Sequence, residues 1–134
     1  MIVVDSSVWI AQLRGEDSVA TRQLRRIVER ADDRVLVGDL ILLEVLQGAR
    51  DEAHAARLER ALRLYPVAAM LDEAVAVQAA RNYRQLRGLG VTVRKTADMI
   101  IGTFCLVGGH ALLHDDRNFE PMVNHLGLEV VAGQ

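Results

Sequence analysis

The sequence predicts an α/β fold, a central parallel sheet of four to five short strands flanked by helices, in one domain over residues 1–134. Three observations carry that expectation. Short β-branched or apolar runs alternate with helical patterns along almost the whole chain, the order that winds into a parallel sheet. Several of these runs end at a polar residue with helical spacing just beyond it, as a strand–turn–helix unit requires. Finally, 134 residues of which 51% are hydrophobic suffice for one compact core and leave little room for a second. No Pro-, Gly- or Ser-rich stretch divides the chain, and no repeat recurs at solenoid spacing.

"IVV" opens as a buried strand ending at Asp5. "SVWIAQLRG" spaces Val8, Trp9, Ile10 and Leu13 at helical intervals and stops at Gly15. "DSVATRQLRRIVERA" is a second amphipathic helix, with Val19, Leu24, Ile27 and Val28 on one side. "RVLVG" is the next strand, and "DLILLEVLQGAR" an apolar helix with Asp39 as its expected N-cap. "DEAHAARLERALRLY" continues as helix and "YPVAA" as strand. "LDEAVAVQAARNYRQLRGLG" is the longest helical pattern, with Asp72 and Glu73 at its start and Arg87 near its end, as the helix dipole favours. "TADMIIGTFCLVGG" is a helix expected to be capped by Thr96, followed by strand "ALLH", helix "FEPMVNHLG" and strand "LEVV".

Composition narrows the function classes. The longest apolar window, "MIIGTFCLVGGHALL", falls short of the roughly 20 residues needed to span a bilayer, so no membrane association is expected. "MIVV" runs straight into Asp5 without a basic leader. Cys105 is the only cysteine, so an internal disulfide is impossible. Together these features suit the cytoplasm. The formal charge of -2 does not advertise a nucleic-acid partner, although every basic residue except Lys95 is arginine, the side chain suited to bidentate phosphate contacts.

Four carboxylates sit where ordinary packing does not ask for them. Asp5 ends a buried strand, at the sheet edge where ligands collect in parallel α/β proteins; capping the following helix is its ordinary reading. Glu44 interrupts "LILLEVL", a helix apolar on nearly all sides, where a buried unpaired acid costs several kcal/mol. Asp98 lies in the first turn of an otherwise apolar helix, where it also complements the dipole. Asp115 and Asp116 end "ALLH" as Asp5 ends "IVV", and since neighbours on an extended chain point oppositely, one of the two faces the site. Acids gathered without basic partners raise one another's pKa, and a divalent cation reverses this. The expected cofactor is therefore Mg²⁺ or Mn²⁺, which take oxygen ligands. The histidines give no comparable signal: His110 and His114 stand on a strand with no cysteine pair at zinc spacing, and Cys105 lies in an apolar helix as a buried, inert thiol.

These residues resemble the PIN-domain ribonucleases, and within them the VapC toxins of bacterial toxin–antitoxin pairs. "VVDSSVWI", "LILLEVLQG", "RKTADMIIG" and "LLHDDRNFEPMVNHLGLEVV" are similar to that family's motifs, in its order, from near residue 2 to near 131. The resemblance implies a single PIN-like domain with Asp5, Glu44, Asp98 and Asp116 as catalytic, metal-binding acids and Ser7 as an orienting hydroxyl. Asp116 takes the first acidic place of the family's D-R-D-F pattern, which here reads "DRNF", so Asn118 replaces the second aspartate and the fifth carboxylate is missing. The implied activity is metal-dependent endoribonuclease cleavage, a metal-activated water attacking the phosphodiester to leave 5'-phosphate and 3'-hydroxyl ends. Arg94 and Lys95 are candidates for phosphate contact. The resemblance further implies a cognate VapB-like antitoxin, an RNA substrate and a homodimer or larger toxin–antitoxin assembly, with Trp9, Leu13 and the early helices as candidate contact surface. Two other readings stay open: a PIN-like binding protein with a degraded site, for which Asn118 is the hint, and a haloacid-dehalogenase-like phosphatase, disfavoured because Ser7 stands where that class has a second aspartate.

Overall fold

The computed structural model describes residues 1–131. Among the described residues, eleven regular elements follow one another as β1 (Ile2–Val4), α1 (Ser6–Leu13), α2 (Val19–Ala31), β2 (Val35–Gly38), α3 (Asp39–Gln47), α4 (Glu52–Leu62), β3 (Val67–Ala68), α5 (Glu73–Gly88), α6 (Thr96–Gly108), β4 (Ala111–Leu113) and α7 (Glu120–Leu126), with 3₁₀ turns at Asp32–Arg34 and Arg117–Phe119. The sheet is parallel throughout, in the order β3-β2-β1-β4. The predicted last strand, "LEVV", is reduced to a single parallel bridge between Val130 and Leu112. It lies on the outer side of β4, so among the described residues the sheet has four strands and one flanking bridge.

β1 is the centre of this arrangement: Ile2, Val3 and Val4 are buried between β2 and β4. Purely apolar strands without alternation are what a sheet covered on both faces demands. Val3, Val37, Ile41, Leu62, Leu86, Ile101, Leu112 and Phe119 form the middle of the core. The chain leaves β1 toward β2 but leaves β4 toward the Val130 bridge, on the opposite side. Connections thus diverge at β1 and β4, and the crevice beyond their carboxyl ends is the topological switch point where open α/β sheets bind ligands.

Local starts and stops explain most boundaries. Ser18 and Thr21 form a reciprocal capping box at the start of α2, and Asp72 accepts from the Val75 N–H at the start of α5. Gly109 (φ 67°) closes α6 in the left-handed conformation. Four expectations are corrected. Gly38, not Asp39, is the N-cap of α3; the Asp39 carboxylate instead accepts from the Met70 N–H at 3.1 Å, tying the ends of β2 and β3 together. Thr96 is the first residue of α6 rather than its cap, and Lys95 holds the cap position without a side-chain bond. α3, expected from its apolar sequence to be buried on nearly all sides, is not, because Leu43 is 55% exposed and Glu44 half-buried. Val19 is exposed, and α2 turns Ala20, Thr21, Gln23 and Leu24 inward. Among the described residues, no helix is long and apolar enough to cross a membrane.

Candidate functional site

Asp5 takes the capping role open to it in the sequence, and does so at the carboxyl end of β1. Its N–H donates to Leu113 O at 2.9 Å, which continues the β1–β4 ladder by one residue and fixes where the side chain emerges. Its Oδ2 then caps α1, accepting from the Ser7 hydroxyl at 2.6 Å and the Ser7 N–H at 3.3 Å. The residue is only 3% exposed. Burial raises its pKa above the ordinary 3.8; the Ser7 and Ser6 donors pull it down, and Asp116 adds a further upward push.

Asp98 reaches the same corner from another direction. α6 runs into β4, so its first turn lies at the carboxyl edge of the sheet, and Asp98 is 4% exposed there. Burial again raises the pKa; the Asn118 amide opposes the rise, Asp5 and Asp116 add to it, and Lys95 opposes it. Glu44 comes in from α3. Burial raises its pKa first, followed by the charge of Asp5; the Ser6 side chain lowers it, Asp98 raises it and Lys95 lowers it. Its Oε1 is buried with no hydrogen-bond partner, and such atoms are rare in folded proteins and call for a reason.

Asp116 is half-buried beyond β4 and caps the 3₁₀ turn, its Oδ1 accepting from the Asn118 N–H at 2.9 Å. Asp115 is exposed, in keeping with the alternation expected of an extended pair. The loop is held at both ends: the Asp116 N–H donates to Nδ1 of His114 at 3.2 Å, the His114 ring packs on Phe119 with centroids 5.0 Å apart, and Phe119 is fully buried. From the Asn118 side chain, Nδ2 donates to Asp98 Oδ2 at 3.1 Å.

Asp5, Glu44, Asp98 and Asp116 come close from four separated segments: Asp116 bears on Asp5 and Asp98, and Asp5 and Asp98 bear on Glu44. Lys95 is exposed but bears on both Glu44 and Asp98, whereas Arg94, also exposed, does not figure among the charges acting on either. Among the described residues, no three His, Cys, Asp or Glu side chains stand close enough around one point to hold a metal ion by themselves. Local donors hold the carboxylates instead: Ser7 on Asp5, Asn118 on Asp98 and on Asp116.

The PIN domain family model matches residues 2–123. The chain belongs to the PIN-domain family. It is 29% identical over 133 residues to Ribonuclease VapC11 of Mycobacterium tuberculosis (strain ATCC 25618 / H37Rv), covering 98% of each protein. Among solved structures it resembles VapBC2 from Rickettsia felis bound to a DNA fragment from their promoter (TM-score 0.77, 12% identity, 100% of both chains). It also resembles a toxin-antitoxin complex from Klebsiella pneumoniae (TM-score 0.71, 17% identity, 98% of this chain and 97% of that one). At those identities the two structures speak for the fold.

Two residues of this PIN domain were not singled out as site residues in the sequence. Ser6 acts on Glu44 through its side chain and on Asp5 through its N–H; the doubled serine of "DSS" was the available signal. His114, weighed only as a metal ligand, serves as the acceptor that fixes the Asp116 backbone. Of the histidine and cysteine readings, Cys105 is buried and its thiol is pushed up to about 12, chiefly by burial.

Proposed function

We propose that this chain is a VapC-like toxin, a metal-dependent endoribonuclease that hydrolyses RNA phosphodiester bonds and is neutralised by a cognate VapB-like antitoxin. One observation carries the reading: three buried or half-buried carboxylates, Asp5, Glu44 and Asp98, meet at the switch point of the sheet with Asp116 beside them, and the pKa of each of the three is raised by burial first and by a neighbouring acid second. An acid cluster that destabilises its own charged form is matched by a hard divalent cation. Oε1 of Glu44, buried without a hydrogen-bond partner, fits the same account, since a hard divalent cation takes carboxylate oxygen as a ligand. Mg²⁺ or Mn²⁺ keeps several waters and needs only one or two direct carboxylates, so a preassembled three-acid cage is not a requirement.

Asp5, Glu44, Asp98 and Asp116 are the residues that would hold the ion. When bound, it supplies Lewis-acid stabilisation of charge on the phosphate and lowers the pKa of water. The chain's own residues supply orientation. Ser7 and the α1 N-terminus fix the rotamer of Asp5, the His114–Phe119 pair fixes the loop that carries Asp116, and Lys95 offers a positive charge at the rim for a phosphate. Arg94 shares that rim as a weaker candidate.

The partners follow from the same reading, and the protein acts as a homodimer or within a larger toxin–antitoxin assembly. Trp9 is 5% exposed and belongs to the core, so it is removed from the contact surface, whereas Leu13 is 37% exposed. Leu13 lines a groove of about 440 Å³ with Ile10, Val45 and Leu58, rimmed by Arg14 and Arg50, which suits an amphipathic antitoxin segment.

The test is to incubate the purified protein with structured cellular RNAs, with and without Mg²⁺ or Mn²⁺, beside an Asp98→Asn variant purified identically. Metal-dependent cleavage by the parent alone is the expected result. Equal cleavage by both would assign the activity to a contaminant or another site, and no cleavage by either across a broad RNA set would favour a PIN-fold binding protein.

A further inference from the structure

We infer that Asn118 is a positioning residue that holds two of the four site carboxylates at once, its side-chain amide on Asp98 and its backbone N–H on Asp116. The inference rests on the reading of this corner as a divalent-cation site.

The geometry is specific. Asn118 Nδ2 donates to Asp98 Oδ2 at 3.1 Å across 20 residues of sequence, and the Asn118 N–H donates to Asp116 Oδ1 at 2.9 Å. One residue therefore links the start of α6 to the loop after β4. Because a carboxylate only accepts, the amide must present its nitrogen to Asp98. A carboxylate at position 118 cannot make this bond while ionised; it would add a like charge about 3 Å from Asp98 and depend on a cation to be tolerated. Asparagine removes that dependence. It satisfies Oδ2 of a residue that is only 4% exposed.

The loop geometry supports a purposeful contact. Asp116 is anchored to His114, and Phe119, the next residue after Asn118, is fully buried, so the backbone on both sides of Asn118 is fixed. Hydrogen-bond partners of a metal ligand orient it and typically change affinity by about 10- to 100-fold when removed.

The experiment has two readouts, neither of which is nuclease activity. Mn²⁺ is titrated calorimetrically into the parent, Asn118→Ala and Asn118→Leu, each melted without metal to establish that it is folded; leucine keeps the side chain's shape and removes only its polar atoms. In parallel, the Asn118 side-chain amide signals of ¹⁵N-labelled protein are compared between the parent and Asp98→Ala. The expected result is Mn²⁺ binding weakened about 10- to 100-fold in both Asn118 variants and amide signals that move when Asp98 is removed. Undiminished binding in the folded variants, or amide signals indifferent to Asp98, would overturn the inference while leaving the cation site standing. A parent that binds no Mn²⁺ would overturn the site reading and the inference with it.

Discussion

Helix α6 carries two buried polar clusters, and they are built on opposite principles. Near its middle, Thr103 is fully buried and its hydroxyl accepts from Asn82 Nδ2 of α5 at 3.0 Å, while Asn82 Oδ1 accepts from Gln78 Nε2 at 2.9 Å. Every group in that chain is neutral and finds a partner inside the fold, so the cluster fastens the two helices together. At its start, Asp98 shares a corner with Asp5, Glu44 and Asp116, the charges oppose one another, and Glu44 Oε1 has no partner. Polar burial that closes on itself is structural; polar burial that leaves charge and an oxygen unpaired is what the proposed cation site draws on.

The largest effect that separates the two clusters is on catalysis. Asp98→Asn should lower metal-dependent RNA cleavage on the order of a thousandfold, since ligand loss removes several kcal/mol of charge stabilisation, and yet leave the melting temperature equal or higher because a buried charge is gone. Asn82→Ala should do the reverse: cleavage within a few-fold of the parent and a stability loss of about 1–3 kcal/mol, the cost of stranding the buried Thr103 hydroxyl. Denaturant unfolding and RNA gels on the same preparations measure both. A catalytic defect in Asn82→Ala as deep as that in Asp98→Asn would erase the distinction.

How much of this was legible beforehand depends on how far the interaction reaches along the chain. Asp5, Glu44 and Asp98 stood out because each acid contradicts its own apolar surroundings, a conflict visible within ten residues, and Asp116 followed from the resemblance that ordered the motifs. The strands and helices were legible for the same reason, as local patterns with local caps. The Asn82–Thr103 pair, 21 residues apart, and the Asn118–Asp98 bond, 20 apart, exist only because helices or loops meet in space, and no spacing rule announces them. Asp39 and Thr96 were misread as caps although they are good capping types, because the preceding Gly38 and Lys95 already occupy the extended cap position. "LEVV" was read as a full strand from its β-branched residues, but only Val130 pairs.

Acidity sharpens the comparison at intermediate size. Asp5, Glu44 and Asp98 have folded-state pKa values raised above their ordinary 3.8, 4.5 and 3.8. Through and above that range these three groups bind more protons in the native state than in the unfolded chain, so their contribution to stability in the absence of metal falls as pH rises from about 4 toward neutrality; His110, whose pKa burial lowers from its ordinary 6.5, opposes that slope as pH rises toward 6.5. Exposed Asp17, ion-paired to Arg22 at 3.2 Å and Arg25 at 2.9 Å, has its pKa lowered and works in the opposite sense below its ordinary 3.8. Melting curves in chelator from pH 4.5 to 8 should slope downward, and Mn²⁺ should raise the melting temperature more at pH 8 than at pH 5. A metal effect of equal size at both values would count against the carboxylates as its ligands.

The smallest expected effect belongs to the residue that α6 buries on a neighbouring turn. Cys105 is fully buried two positions beyond Thr103, and burial, with a smaller contribution from the Asp5 charge, pushes its thiol up to about 12. The thiolate is the reactive form, so at neutral pH the group is protonated as well as inaccessible. A thiol reagent should leave the native protein unlabelled over the time in which urea-unfolded protein reacts to completion, and Cys105→Ala should leave RNA cleavage unchanged. The acid corner lies near enough to act on this thiol, yet the thiol lends nothing to the corner, because a neutral, inert sulfur offers neither charge nor a free lone pair in the crevice. Rapid native labelling would mean that α6 opens away from the core, and the fixed position of Asp98, on which the contrast between the two clusters depends, would fail with it.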